Sequence, residues 1–189
     1  MAMATTPAIR RFTSDEVWQM VEIGLLGADE PYELLDGELT YVSPQNPPHA
    51  GVIRALNSAL SLGYGAAFQV AVQLPIGGIA DSIPEPDLAV VTTEIGFQDT
   101  HPLADQTILI VEVSDSGVRR DIRKGAIYAI AGAPVFWRIE VPRQVVIIHQ
   151  RPQPDGTWSD VTEVDGAGAL ELPGVDRRID VAAFLKPRG

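Results

Sequence analysis

The sequence predicts an α/β fold in which a central mixed β-sheet is flanked by helices. Three observations carry this. The apolar runs are short, frequent and rich in Val and Ile, as in sheet strands. One of them, 107–113 (TILIVEV), is almost continuously apolar, the pattern of a strand covered on both faces in the middle of a sheet. Between the strand candidates lie segments with helical apolar spacing and recognisable stops.

Taken in order, Thr13 followed by Glu16 is a capping-box pattern that opens a short helix carrying Val17, Met20 and Val21, ended by Gly24 and Gly27. Residues 32–42 read as a hairpin about the two-residue turn Asp36-Gly37. Pairing across that turn sets Leu34 against Leu39 and Tyr32 against Tyr41. The other face then carries Glu33, Leu35, Glu38 and Thr40 and is expected to display its two carboxylates. A Pro-rich loop, 43–48, leads to a second helix at 49–64. Strands are expected at 68–74, stopped by Pro75 and Gly77-Gly78, and at 87–91, after an acidic, Pro-rich loop at 79–86. The strand 107–113 is followed by a helix at 118–131, closed by Gly132 and Pro134. A hairpin of 135–140 and 144–149, weaker strands at 157–164 and around Leu170, and a short helix at 181–185 complete the chain.

With 189 residues, 46% of them apolar, and no repeat, the chain is expected to form one domain over 1–189, with a flexible tail at 1–11. The absence of cysteine excludes disulfides, thiolate metal sites and cysteine nucleophiles, and suits a reducing cytoplasm. No stretch approaches the roughly 18 apolar residues of a membrane span, so no membrane partner is expected.

A net charge of −11 argues against a nucleic-acid binder that works through a broad basic surface. It leaves room for a nuclease, because clustered carboxylates that hold a divalent cation are themselves negative and the ion reverses the local sign. A local basic patch exists at Arg119, Arg120, Arg123 and Lys124, and its arginines are candidate contacts to substrate phosphates.

Glu112, inside TILIVEV, is costly to bury without a cation or hydrogen-bond partner. Asp87 heads the preceding strand, where neighbouring strands can bring the two carboxylates together. Such a pair suits Mg²⁺ or Mn²⁺, which take one or two protein carboxylates and fill the rest of their shell with water and phosphate. On the helix after Glu112, Asp121, Lys124 and Tyr128 share one face. Lysine is scarce, with two against twelve arginines, so a compact ammonium at 124 reads as a choice of chemistry. His49 has two open readings, a helix-start residue or a substrate contact, while His101 and His149 show no partner pattern. Trp18, Trp137 and Trp158 read as core or interface aromatics.

The ordered run YELLDGEL, SPQNPPH, PEPDLAVV, LIVEVSDS, D-x-x-K-x-x-x-Y and AGAPVFW, from Tyr32 to about Trp137, resembles the Uma-two family of restriction-endonuclease-like proteins in the PD-(D/E)xK nuclease superfamily. The resemblance implies a restriction-endonuclease-like sheet, with Asp87 and Glu112 as metal-binding acids. The superfamily's lysine normally stands two residues after the glutamate, where this chain has Ser114. The resemblance implies that Lys124 replaces it from the next helix, followed by Tyr128, that Glu33 is a further acid of the cluster, and that His49 is a recurring histidine. It also implies a homodimer, for which Phe136-Trp137 would supply an exposed apolar patch. The expected activity is metal-dependent hydrolysis of nucleic acid, DNA above all, with Asp87, Glu112 and Lys124 as the reactive centre. Two rivals stand beside it: a non-catalytic binding module of the same fold, and a carboxylate-pair hydrolase acting on another substrate.

Overall fold

The computed structural model describes residues 9–27, 29–42, 44–95 and 100–185. Residues 1–8 of the expected tail lie outside them. Within the remainder of the tail, Arg10 pairs with Glu16 and Arg11 with Glu38, so these positions are held against the fold.

The central sheet has six strands in the order β3 (Phe68–Val72), β4 (Leu88–Thr92), β5 (Leu109–Ser114), β6 (Val135–Glu140), β7 (Val145–Pro152) and β8 (Trp158–Asp165). Only β5 and β6 run parallel, and they are joined by α3 (Val118–Ile130), as a parallel pair requires a crossover. Every residue of β5 is buried, which fits its central place and its unbroken apolar run.

Alternation along the strands sorts the side chains into two layers. Leu88, Val90, Leu109, Val111, Val113, Trp137 and Ile139 face α2 (Pro47–Tyr64), which contributes Val52, Ile53, Leu56, Leu60 and Tyr64. Ala89, Ile110 and Phe136 face α3, which contributes Tyr128. Gly125 is required here, since a Cβ at that position would come within 2.6 Å of Phe136. A small hairpin, β9 (Ala169–Glu171) and β10 (Arg178–Asp180), closes the α2 layer with Leu170 and Ile179. The sequence gives little sign of β10 because only one of its three residues, Ile179, is apolar. The expected C-terminal helix is a single 3-10 turn, Val181–Ala183.

The first helix, α1 (Ser14–Glu22), carries the expected capping box at Thr13 and Glu16. Strands β1 (Tyr32–Leu35) and β2 (Glu38–Tyr41) pair in the expected register, Tyr32 with Tyr41 and Leu34 with Leu39. The hairpin stands outside the main sheet. It lies between α1, against which Leu34 packs beside Val17 and Ile83, and α3, whose basic side chains reach it. Both faces are contacted, and the expectation that one of them displays two carboxylates is corrected for Glu33, which is buried with Leu35, while the Glu38 side chain stays 38% exposed. Phe136 and Trp137 are each 1% exposed, so the apolar surface patch expected there for a homodimer is core instead. Trp18 departs in the other direction and is 43% exposed. No helix among the described residues is long and apolar enough to cross a membrane.

Candidate active site

The antiparallel register of β4 and β5 sets Leu88 opposite Val111 and Ala89 opposite Ile110. Continued one step, it sets Asp87 opposite Glu112. Residues directly opposite in an antiparallel pair point to the same face, here the face covered by α3. The two acids thus stand side by side where the apolar layer of Ala89 and Ile110 ends. Asp87 is fixed at Oδ2, which accepts the backbone N–H of Val113 at 2.8 Å and meets His49 Nε2 at 3.1 Å.

Helix α3 delivers the other groups. Lys124 Nζ lies 2.6 Å from Glu112 Oε1 and 2.9 Å from Glu33 Oε1, and it donates to the backbone oxygen of Glu85 at 2.7 Å. Tyr128, one helical turn on, donates its hydroxyl to Glu112 Oε1 at 2.7 Å. Asp121, one turn back, accepts the hydroxyl of Ser114. Glu112 and Ser114 are two apart on β5 and share a face, so a lysine at 114 would also point here. This chain places a serine on the strand and brings the ammonium in from the helix.

All three positions of the expected centre, Asp87, Glu112 and Lys124, line one cleft of about 690 Å³, together with Glu33, His49 and Asp121. Tyr128 sits beneath it, fully buried. Glu33 is committed elsewhere: one oxygen accepts from Lys124 and from the backbone N–H of Glu85, and the other pairs with Arg120. It holds the lysine and the hairpin. His49 resolves as a contact to Asp87 on the cleft wall. The arginines expected to meet phosphates are largely engaged by the hairpin. Arg120 pairs with Glu33, while Arg123 meets Asp36 at 2.6 Å, Glu38 at 3.1 Å and the carbonyl of Leu35 at 2.6 Å. Arg119 is exposed. Sequence reasoning missed Glu85, whose backbone joins Glu33 to Lys124, and Ser114 as a partner of Asp121. The PEPD run placed Glu85 beside the site but gave no hint that its main chain is what matters.

The electrostatics follow from crowding. Four acids, Glu33, Asp87, Glu112 and Asp121, face Lys124 and Arg120. Burial raises the Glu112 carboxyl well above its ordinary 4.5 against the opposing pull of Lys124, and Asp87, Asp121 and Glu33 raise it further. Asp121 is raised by burial, opposed by the Ser114 hydroxyl and Lys124. Burial alone would lower the pKa of Lys124, but Glu112 and Glu33 outweigh it and keep the ammonium charged above its ordinary value. His49 is also raised, Asp87 overcoming the effect of burial.

Residues 17–182 match the family model Uma2, described as "Putative restriction endonuclease". The crystal structure of a putative nuclease belonging to DUF820 from Anabaena variabilis superposes with a TM-score of 0.71 at 16% sequence identity, covering 92% of this chain and 97% of that one. The likeness establishes a shared fold. No curated protein is significantly similar to the chain.

Proposed function

This chain belongs to the Uma2 putative restriction endonuclease family, and from that membership and the geometry of the cleft we propose that it is a metal-dependent endonuclease hydrolysing phosphodiester bonds of nucleic acid. The observation that carries this reading is the convergence of Asp87 and Glu112 from adjacent strands on the Lys124 ammonium, 2.6 Å from Glu112.

The acid set suits a divalent cation. Carboxylates outnumber cationic groups, and Asp87 Oδ1 and Glu112 Oε2 make no hydrogen bond among the described residues. Among the described residues no three His, Asp or Glu side chains are arranged to hold an ion together. In this proposal two acids, Asp87 and Glu112, would hold the ion, a number that Mg²⁺ or Mn²⁺ accepts when water and phosphate complete the shell. Bound there, the ion would lower the pKa of water and neutralise charge on phosphate.

The chain's own groups divide the remaining work. Glu112 and Glu33 hold the Lys124 amine above its ordinary value against the effect of burial, which suits it to act as a positive charge rather than as a base. It stabilises negative charge that develops on the phosphate. Tyr128 and Glu33 orient Glu112 and Lys124, and His49 and the Val113 N–H orient Asp87. Ser116 and Gly117, at an α3 N-terminus with no side-chain cap, also line the cleft and offer main-chain donors to an anion.

The test is a nicking assay on plasmid, single-stranded DNA and RNA with Mg²⁺ or Mn²⁺. Cleavage that chelation stops, and that Asp87→Asn and Glu112→Gln abolish, is the expected result. Metal binding without cleavage of any substrate would favour a non-catalytic module, and hydrolysis that survives strong chelation would favour a carboxylate-pair hydrolase.

A further inference from the structure

A second cleft, of about 280 Å³, adjoins the first and is lined by Trp18, His101, Tyr32, Leu34, Ile83 and Glu85 among others. Tyr32 and Glu85 line both clefts, so these two side chains form a wall that the clefts share. At its outer wall the rings of Trp18 and His101 lie nearly parallel, 17° between planes with centroids 5.7 Å apart. Trp18 is 43% exposed, unusual for the largest aromatic side chain on a helix whose neighbour Val17 is core. The main chain just after His101 is held by the Gly77 to Leu103 bridge and the Gly77 N–H bond to the Pro102 carbonyl. The floor, Leu34 and Ile83, is buried and apolar. The rim carries the Glu85 carboxyl, which makes no hydrogen bond among the described residues.

Resting on the endonuclease reading, we propose that this cleft is a subsite for one unpaired nucleobase of the substrate strand, stacked on the Trp18–His101 pair with its exocyclic amino group donated to Glu85. Charge leaves few alternatives for affinity. The chain carries −11, and Arg120, Arg123 and Lys124 are occupied by Glu33, Asp36, Glu38 and Glu112. Beyond Lys124 at the reactive centre and the exposed Arg119, this basic run is spent on the hairpin, so phosphate neutralisation is limited and a neutral stacking contact adds affinity that the aromatic wall can supply. The shared Tyr32 and Glu85 wall puts a base stacked here next to the catalytic cleft, so that both can belong to one bound strand. The Glu85 carboxylate is an acceptor, so it favours bases that carry an exocyclic amino donor, cytosine and adenine among them, over thymine or uracil, which carry none.

The experiment measures binding without cleavage, using the full chain carrying Asp87→Asn and short fluorescent oligo-dC, oligo-dA, oligo-dT and RNA strands. Trp18→Ala and His101→Ala are each expected to weaken binding about tenfold or more, with no change in the slope of affinity against salt, and Trp18→Phe to recover most of it. Oligo-dC and oligo-dA should bind more tightly than oligo-dT, and Glu85→Gln should shrink that difference. Matched circular dichroism and thermal midpoints confirm that the variants fold. Strands that bind equally well to the parent and to both alanine variants overturn the subsite and leave the endonuclease reading standing. A parent chain that neither binds any strand nor, with Asp87 restored, cleaves one overturns both.

Discussion

Lys124 of α3 and Glu112 of β5 meet at 2.6 Å although neither side chain reaches solvent, at 1% and 3% exposure. A buried pair of this kind is a demand as well as a support, because removing one partner leaves the other's charge uncompensated. Lys124→Ala strands Glu112 and Glu33 together, and its cost is expected at about 3–5 kcal/mol of stability in metal-free protein. Divalent metal should recover part of that loss, while cleavage stays lower by on the order of a hundredfold or more. Chemical unfolding with and without Mg²⁺, beside the nicking assay, measures both. Parent-like cleavage by Lys124→Ala would show that another group supplies the charge.

Asp87→Asn and Glu112→Gln preserve side-chain shape and remove the charge that a cation would bind. Each should abolish saturable Mg²⁺ or Mn²⁺ binding by calorimetric titration, and with it the rise in thermal midpoint that an ion specific to the folded state produces. A midpoint that climbs equally in parent and variants would place the ion elsewhere.

Arg123, with three hairpin acceptors, is expected to hold β1 and β2 against α3 rather than to bind substrate. Its side chain is one-third exposed, so Arg123→Ala should cost about 1 kcal/mol, most of it from the Leu35 carbonyl and the Asp36 pair. Oligonucleotide affinity should change little. A large loss of affinity with unchanged stability would return this residue to the role of phosphate contact.

These outcomes bear on what the sequence discloses. The Asp36-Gly37 turn dictates the hairpin register, because a two-residue loop leaves one pairing. The pairing of Asp87 with Glu112 was legible in outline, since a charged residue at the end of one apolar strand and another inside the next must share an environment. The place of the hairpin was not legible. Nothing in YELLDGEL says whether its Glu33 face meets solvent or a helix, so Arg120 and Arg123 of α3 read as phosphate contacts when they are the hairpin's counter-ions. Phe136-Trp137 likewise read as a patch because an apolar pair does not reveal that both faces of β6 are covered. Trp18 and His101 lie 83 positions apart, and only the fold brings them together.

His149 offers a pH dependence remote from the cleft. Burial first, and Arg138 second, hold its imidazole below the ordinary 6.5, so the folded chain takes up this proton at lower pH than the unfolded chain. Its contribution to stability is whole above 6.5 and is lost as pH falls through the folded value. The ring lies against Phe136 and Trp158, and its Nδ1 is buried with no hydrogen-bond partner among the described residues. His149→Phe keeps the packing and removes both the orphaned nitrogen and the titration. Between about pH 7.5 and 5.5 its thermal midpoint should fall less than the parent's. Parallel midpoint curves would mean that His149 is accessible to protons in the folded state.

The last prediction returns the lysine to the strand. Ser114 shares a face with Glu112 and is 1% exposed, so a lysine there would find the same carboxylates without crossing the sheet. Two obstacles are foreseeable. A Ser114 substitution removes the hydroxyl that Asp121 accepts, and the longer side chain needs room that only loss of Lys124 provides. The single variant Ser114→Lys should therefore be destabilised and slow, with two ammonium groups competing for Glu112. The double variant Ser114→Lys with Lys124→Ala restores one cation to the cluster and should cleave at least tenfold faster than Lys124→Ala alone, since the lost term is the electrostatic one. It should also unfold at a higher midpoint than Lys124→Ala, because Glu112 regains a counter-ion. Rescue of stability without rescue of cleavage would show that Lys124 acts by its position relative to the substrate, and that a positive charge beside Glu112 is not enough.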